Sequence, residues 1–138
     1  MIVADASVAS FLFLEGEMTS IVRELFAADP EWITPPILNH EILNILAAVG
    51  SLEGDSVAME ELWREVRSVF GSRQHIPDPL RSLRLAIELK ISGYQAQYVA
   101  LANQLKLPLL TTDQRLLELL PQSACRPEEY LRDFIHRL

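Results

Sequence analysis

The sequence predicts an α/β fold in three layers, α/β/α, with helices on both faces of a central, mostly parallel sheet of four to five short strands. Short apolar runs alternate along the chain with longer segments of helical periodicity, the pattern of a helix-covered parallel sheet. The opening run, Met1–Ala4, is apolar throughout instead of alternating, as suits a strand buried on both faces. The length of 138 residues fits one domain, 1–138, with enough apolar content (49%) to bury a core without disulfides or metal staples.

The elements follow in order. After the first strand, Asp5-Ala6-Ser7 supplies side-chain oxygens that can cap a helix. Val8–Leu14 and Met18–Ala28 read as helical, broken near Glu15-Gly16. Trp32-Ile33-Thr34 is a second strand, and Pro35-Pro36 opens a helix through Val49 with Gly50 as its stop. Asp55–Phe70 is amphipathic, with Met59, Leu62, Val66 and Val69 or Phe70 at helical spacing. His75-Ile76 reads as a third strand, Leu80–Ile91 as a helix, and Ser92-Gly93 as an interruption before the helix Tyr94–Leu105. On that helix Tyr94, Tyr98, Leu101 and Leu105 stack on one face. Leu107–Thr111 is the clearest late strand, ended by Thr112-Asp113. Gln114–Leu120 is helical and stopped by Pro121, Ala124-Cys125-Arg126 reads as an edge strand, and Pro127 leads into a last helix, Glu128–His136. No repeat, low-complexity tract or linker interrupts the pattern.

Composition narrows the function classes. The net charge of −7 argues against nucleic-acid binding through bulk electrostatics, though it allows a local basic rim around an acidic pocket. The cations are nearly all arginine, Lys90 and Lys106 excepted, and arginine is the better bidentate phosphate ligand. Cys125 is the lone cysteine, so no intramolecular disulfide forms, in keeping with a reducing cytoplasm. It reads as a small buried residue. No apolar run approaches the ~20 residues of a membrane span, and the start has no basic leader.

In open α/β sheets ligands sit beyond the carboxyl ends of the strands. Asp5 and Asp113 both fall there, each following a strand and opening a helix. One such Asp is adequately explained as a cap. Two at one sheet edge repel unless a cation or a proton lies between them. Glu41, on the helix after Pro35-Pro36, shares a narrow polar face with Asn44 and Ala48, with His40 at its edge. The opposite face holds Leu38, Ile42, Leu43, Ile45, Leu46 and Val49. Alone, Glu41 is a solvated polar residue. Three converging carboxylates make a site for a hard divalent ion such as Mg²⁺, with Asn44 able to bond Glu41 or a bound water.

Four segments, in order, resemble the PIN-domain family, and in particular the VapC-type toxin ribonucleases of type II toxin–antitoxin modules. Ile2-Val3-Ala4-Asp5-Ala6-Ser7-Val8 is similar to the family's opening strand, first acid and following hydroxyl residue. Glu41-Ile42-Leu43-Asn44-Ile45-Leu46 resembles the helix of the second acid. Tyr94-Gln95-Ala96-Gln97-Tyr98-Val99-Ala100-Leu101-Ala102 resembles the Tyr-Asp-Ala helix. Leu109-Leu110-Thr111-Thr112-Asp113-Gln114-Arg115-Leu116 resembles the strand and acid that close the site. Each segment is weak evidence alone; their order and spacing together are specific. One departure stands out: the family's third acid falls at Gln95, which keeps the shape of a glutamate without its charge.

The resemblance implies a metal-dependent endoribonuclease with Asp5, Glu41 and Asp113 as catalytic residues holding Mg²⁺ or Mn²⁺. A water on the metal would attack phosphorus and leave a 3′-hydroxyl and a 5′-phosphate. Gln95 would be a carbonyl or outer contact, Ser7 and Thr111 would orient carboxylates or water, Asn44 would support Glu41, and Arg115 would meet phosphate. Solvation explains Arg115 equally well, as it does Arg64, Arg67, Arg73, Arg81 and Arg84. The implied partners are RNA, an antitoxin protein and a second copy in a homodimer, in the cytoplasm with no membrane. Trp63 is a candidate for such a partner surface, with core packing the plainer role; His40 and His75 fit no metal or triad pattern. The alternative is a degenerate PIN domain, inactive through Gln95, acting as an RNA- or protein-binding module.

Other folds with an acid after the first strand fit less well. A haloacid-dehalogenase-like phosphatase needs a second Asp where Ser7 stands. A receiver domain needs a Lys after a late strand, and Lys106 precedes it. A Rossmann nucleotide binder needs a glycine-rich first turn, which Asp5-Ala6-Ser7-Val8-Ala9 lacks.

Overall fold

The structure, a computed structural model, describes residues 1–137. Four strands, β1 (Ile2–Ala4), β2 (Trp32–Ile33), β3 (Leu109–Leu110) and β4 (Ala124–Cys125), form one sheet in the order β2-β1-β3-β4. Every pairing is parallel, with Val3 opposite both Ile33 and Leu109, and Leu110 opposite Cys125. All three residues of β1 are fully buried, so helices cover both faces of the sheet at its centre. This is the helix-covered parallel α/β arrangement expected from the sequence, with four strands.

The helices are α1 (Ala6–Ala9), α2 (Thr19–Ala28), α3 (Ile37–Glu53), α4 (Ser56–Phe70), α5 (Pro79–Leu89), α6 (Gly93–Leu105), α7 (Gln114–Leu119) and α8 (Pro127–Arg137). A single 3₁₀ turn, Ser10–Leu12, continues α1 and ends before Glu15-Gly16. There Thr19 Oγ1 accepts from the Gly16 N–H at 2.8 Å and donates to the Leu14 carbonyl at 2.9 Å, closing the break. Asp55, Asp78 and Ser92 cap α4, α5 and α6 through their side-chain oxygens. Pro79 sits in the first turn of α5, where its missing N–H has no intrahelical partner to lose.

Two secondary-structure expectations are corrected. The helix α3 passes through Gly50 and ends at Gly54, whose φ of 69° is the left-handed cap conformation. Gly50 serves packing: a Cβ there would come within 2.9 Å of Met59 Cγ on α4. His75-Ile76 forms no strand, for only Gln74 bridges to Thr34. Ile76 is 78% exposed and Pro77 follows it, so there is neither a buried face nor a continuing ladder.

The core is aliphatic with a few aromatics. Trp32 and Phe70 are fully buried, with Phe26 edge-on to Trp32 at 5.2 Å and Phe13 edge-on to Phe70 at 6.2 Å. On α3 the inward residues are Leu38, Ile42 and Leu46; Leu43, assigned to the same face by periodicity, is 45% exposed. On α6, Tyr98 and Leu101 are buried as expected, but Tyr94 is 61% exposed and outside the stack. Tyr94 instead lines a surface depression with Ile37 and His40.

Candidate active site

The chain leaves β1 at Asp5 and β3 at Thr111-Thr112-Asp113, on neighbouring parallel strands. Both acids therefore emerge at the same sheet edge, which is why residues over a hundred positions apart meet. The tie is direct. Ser7 Oγ donates to Asp5 Oδ1 at 2.5 Å and accepts from the Thr112 N–H at 3.1 Å. Ser7 thus holds the two strand ends together and orients the first carboxylate.

Each acid also keeps its capping role. Asp5 Oδ1 accepts from the Val8 N–H at 3.2 Å, and Asp113 Oδ1 from the Leu116 N–H at 2.9 Å. Thr111, fully buried, accepts from the Asp113 N–H through Oγ1 at 3.0 Å. Cap and site are compatible at Asp5, where Oδ1 satisfies the helix and leaves Oδ2 available.

A cleft of about 110 Å³ gathers Asp5, Ser7, Glu41, Gln95, Tyr98 and Asp113. Glu41 reaches it from α3, and Gln95 and Tyr98 from the first turns of α6. Gln95 Nε2 donates to Asp113 Oδ2 at 3.2 Å. The carboxylates share the cleft without forming a ready cage. Among the described residues, no three His, Cys, Asp or Glu side chains are grouped tightly enough to grip one ion.

Electrostatics mark the cleft. Burial pushes the Asp5 carboxyl up to about 6, against the opposing hydrogen bonds of Ser7, Thr111 and the Val8 N–H; the charge of Glu41 adds to the rise. Glu41 Oε1 is buried and has no hydrogen-bond partner among the described residues. A buried, unpartnered carboxylate oxygen is costly unless a cation or donor meets it.

The other candidates lie further out. Asn44 lines an adjoining depression with Glu41, His40 and Tyr94. Arg115 is exposed, does not line the cleft, and points Nη2 at the Leu89 carbonyl at 3.5 Å. Trp63 is half-buried in an apolar groove between α3 and α4, with Leu46 and Met59. Sequence reasoning missed Tyr98 as a residue of the cleft. Its signal was its spacing, three residues after Gln95 and so on the same helical face.

Strand order, helix cover and acids at one sheet edge together define a PIN-like α/β fold. No family model matches the sequence. Ribonuclease VapC3 of Pyrobaculum aerophilum is 29% identical over 127 residues, which span 87% of this chain and 95% of that protein. The crystal structure of PAE2754 from Pyrobaculum aerophilum superposes with a TM-score of 0.75 at 23% identity, covering 98% of this chain and 96% of that one. FitAcB from Neisseria gonorrhoeae gives 0.70 at 16% identity, covering 93% and 99%. The resemblance to VapC-type PIN proteins thus extends over nearly the whole chain, in sequence and in fold.

Proposed function

We propose that residues 1–138 form a single PIN-like domain acting as a metal-dependent endoribonuclease, the toxin of a type II toxin–antitoxin pair. The observation that carries this reading is the cleft in which Asp5, Glu41 and Asp113 meet at the carboxyl edge of the sheet. The likeness to a ribonuclease along 87% of the chain supports it.

The residues fit a hard divalent cation that keeps bound waters and takes one or two carboxylates directly, since no three of the described acids close on one point. The donors are oxygens, Glu41 Oε1 is buried without a partner among the described residues, and burial disfavours the charge on Asp5 until a cation offsets it. Asp5, Glu41 and Asp113 would hold Mg²⁺ or Mn²⁺. Such an ion, when bound, activates water and stabilises charge developing on a phosphodiester. The chain's own part is orientation: Ser7 fixes Asp5, while Thr111 and the Leu116 N–H fix Asp113. Gln95 fills the third-acid position with a neutral amide, so the cation would meet one charge fewer.

A second reading rests on that amide. Because Gln95 hydrogen-bonds Asp113, the cleft is partly self-satisfied, and a degenerate domain that binds RNA or protein without cutting is the alternative. The partners under the first reading are RNA, an antitoxin protein and a second copy of this chain, in the cytoplasm. Leu80, Leu83 and Ile87, exposed along one side of α5, support a protein-binding face. Among the described residues no helix is long and apolar enough to cross a membrane.

RNA cleavage in Mg²⁺ or Mn²⁺ by the wild type, Asp5→Asn and Gln95→Asp decides between the readings. Cleavage lost in Asp5→Asn supports the nuclease. An inert wild type that Gln95→Asp activates supports the degenerate domain. Neither cutting nor metal binding in any form rejects the nuclease.

A further inference from the structure

In the cleft, two of the three acids have visible positioning donors. Asp5 is held by Ser7 and the Val8 N–H, and Asp113 by the Leu116 N–H and Gln95. Glu41 Oε1 has no such donor among the described residues, although it is buried. One other side-chain atom lining this cleft is buried and unpartnered among them: the hydroxyl of Tyr98. The two groups are complementary, since a carboxylate only accepts and a phenol can donate. Both line the same cleft, and neither atom has a well-formed hydrogen bond among the described residues.

We infer that Tyr98 is a positioning residue of this site, its hydroxyl donating to Glu41 and holding that carboxylate in the orientation in which it serves as a cation ligand. The inference rests on the metal-dependent reading of the cleft. Tyr98 suits the role. It is 2% exposed, so packing locks its ring on α6, and it projects from the same helical face as Gln95. A phenol is protonated at neutral pH and so can donate to a carboxylate.

The test is calorimetric titration of Mn²⁺ into the full chain and into Tyr98→Phe, with thermal melts of both in EDTA. Removing an outer partner of a metal ligand typically weakens affinity by about ten- to a hundred-fold. We expect a loss of that size, with the EDTA melting temperature unchanged or raised, because the lost hydroxyl has no partner in the metal-free fold. Equal affinities would overturn the role of Tyr98 and leave the nuclease reading standing. A parallel fall in affinity and EDTA stability, or failure to fold, would also overturn it, since the hydroxyl would then be structural. If the wild type binds no Mn²⁺, the metal reading fails first and the role of Tyr98 fails with it.

Discussion

Gln95 donates its side-chain amide to Asp113 across 3.2 Å, joining the first turn of α6 to the cap of α7. The position that the family resemblance gives to an acid is therefore occupied by a donor aimed at another acid. Replacing it with Asp or Glu should reverse that relationship. Gln95→Asp is expected to bind Mn²⁺ at least about ten-fold tighter, by analogy with the weight of other charges around a metal. In EDTA it should melt lower than the wild type, because two carboxylates then face each other with no cation between them. Calorimetry and melting curves read both effects. Unchanged affinity would mean that the amide oxygen already does the work of a carboxylate.

Asp5 makes a pH-dependent prediction. Its carboxyl is raised from 3.8 to about 6, chiefly by burial. The folded state therefore holds this proton more tightly than the unfolded chain does. Stability from this group is fully present below about pH 4 and is lost as pH rises through about 6. At neutral pH the metal-free protein carries a penalty on the order of 3 kcal/mol at this one side chain. Asp5→Asn keeps the capping oxygen and removes the charge, so in EDTA at pH 7 it should be the more stable protein. Urea unfolding at several pH values should show the gap opening between pH 4 and 7. A gap that narrows with rising pH would contradict this account.

Ser7 joins the two strand ends, bonding Asp5 Oδ1 at 2.5 Å and the Thr112 N–H at 3.1 Å. Ser7→Ala removes both contacts and leaves a part-buried N–H unpaired. The expected loss is about 1–3 kcal/mol of unfolding free energy. Because the Ser7 hydrogen bond lowers the Asp5 pKa, the variant should also shift the stability profile of the preceding prediction toward higher pH. Ser7→Thr, which keeps the hydroxyl, should retain most of both.

Cys125 lies on the edge strand β4, half-buried, and its thiol is pushed up to about 11 by burial, with Glu129 and Asp133 adding to the rise. The thiolate is the reactive species, so iodoacetamide should label the native chain slowly at pH 7 and rapidly in urea. Fast native labelling would show that this edge of the sheet opens.

Much of the fold was legible because its signals are local. An apolar run, a capping Asp or Ser and a Pro in a first turn mark β1, α4, α5 and α6 without reference to distant residues. The errors arose where local signals conflict with packing. Gly50 reads as a stop, yet it lies inside α3 because Met59 needs the space. His75-Ile76 has strand-forming residues, but Pro77 and solvent on both sides deny it a ladder. Arg115 is two residues from Asp113 in sequence but turns toward Leu89, since positions two apart on a helix face different ways.

The sequence by itself determined the parallel α/β plan and placed Asp5 and Asp113 at strand ends, because strand burial and helix capping are written in short stretches of chain. Only the tertiary structure decided what surrounds those acids. It paired Gln95 with Asp113, left Glu41 Oε1 buried without a donor, and brought the Tyr98 hydroxyl into the same cleft. Periodicity tells which face a residue occupies. Whether a polar atom on that face finds a partner depends on atoms from α3, α6 and two strand ends meeting within a few ångströms, and that is set by packing.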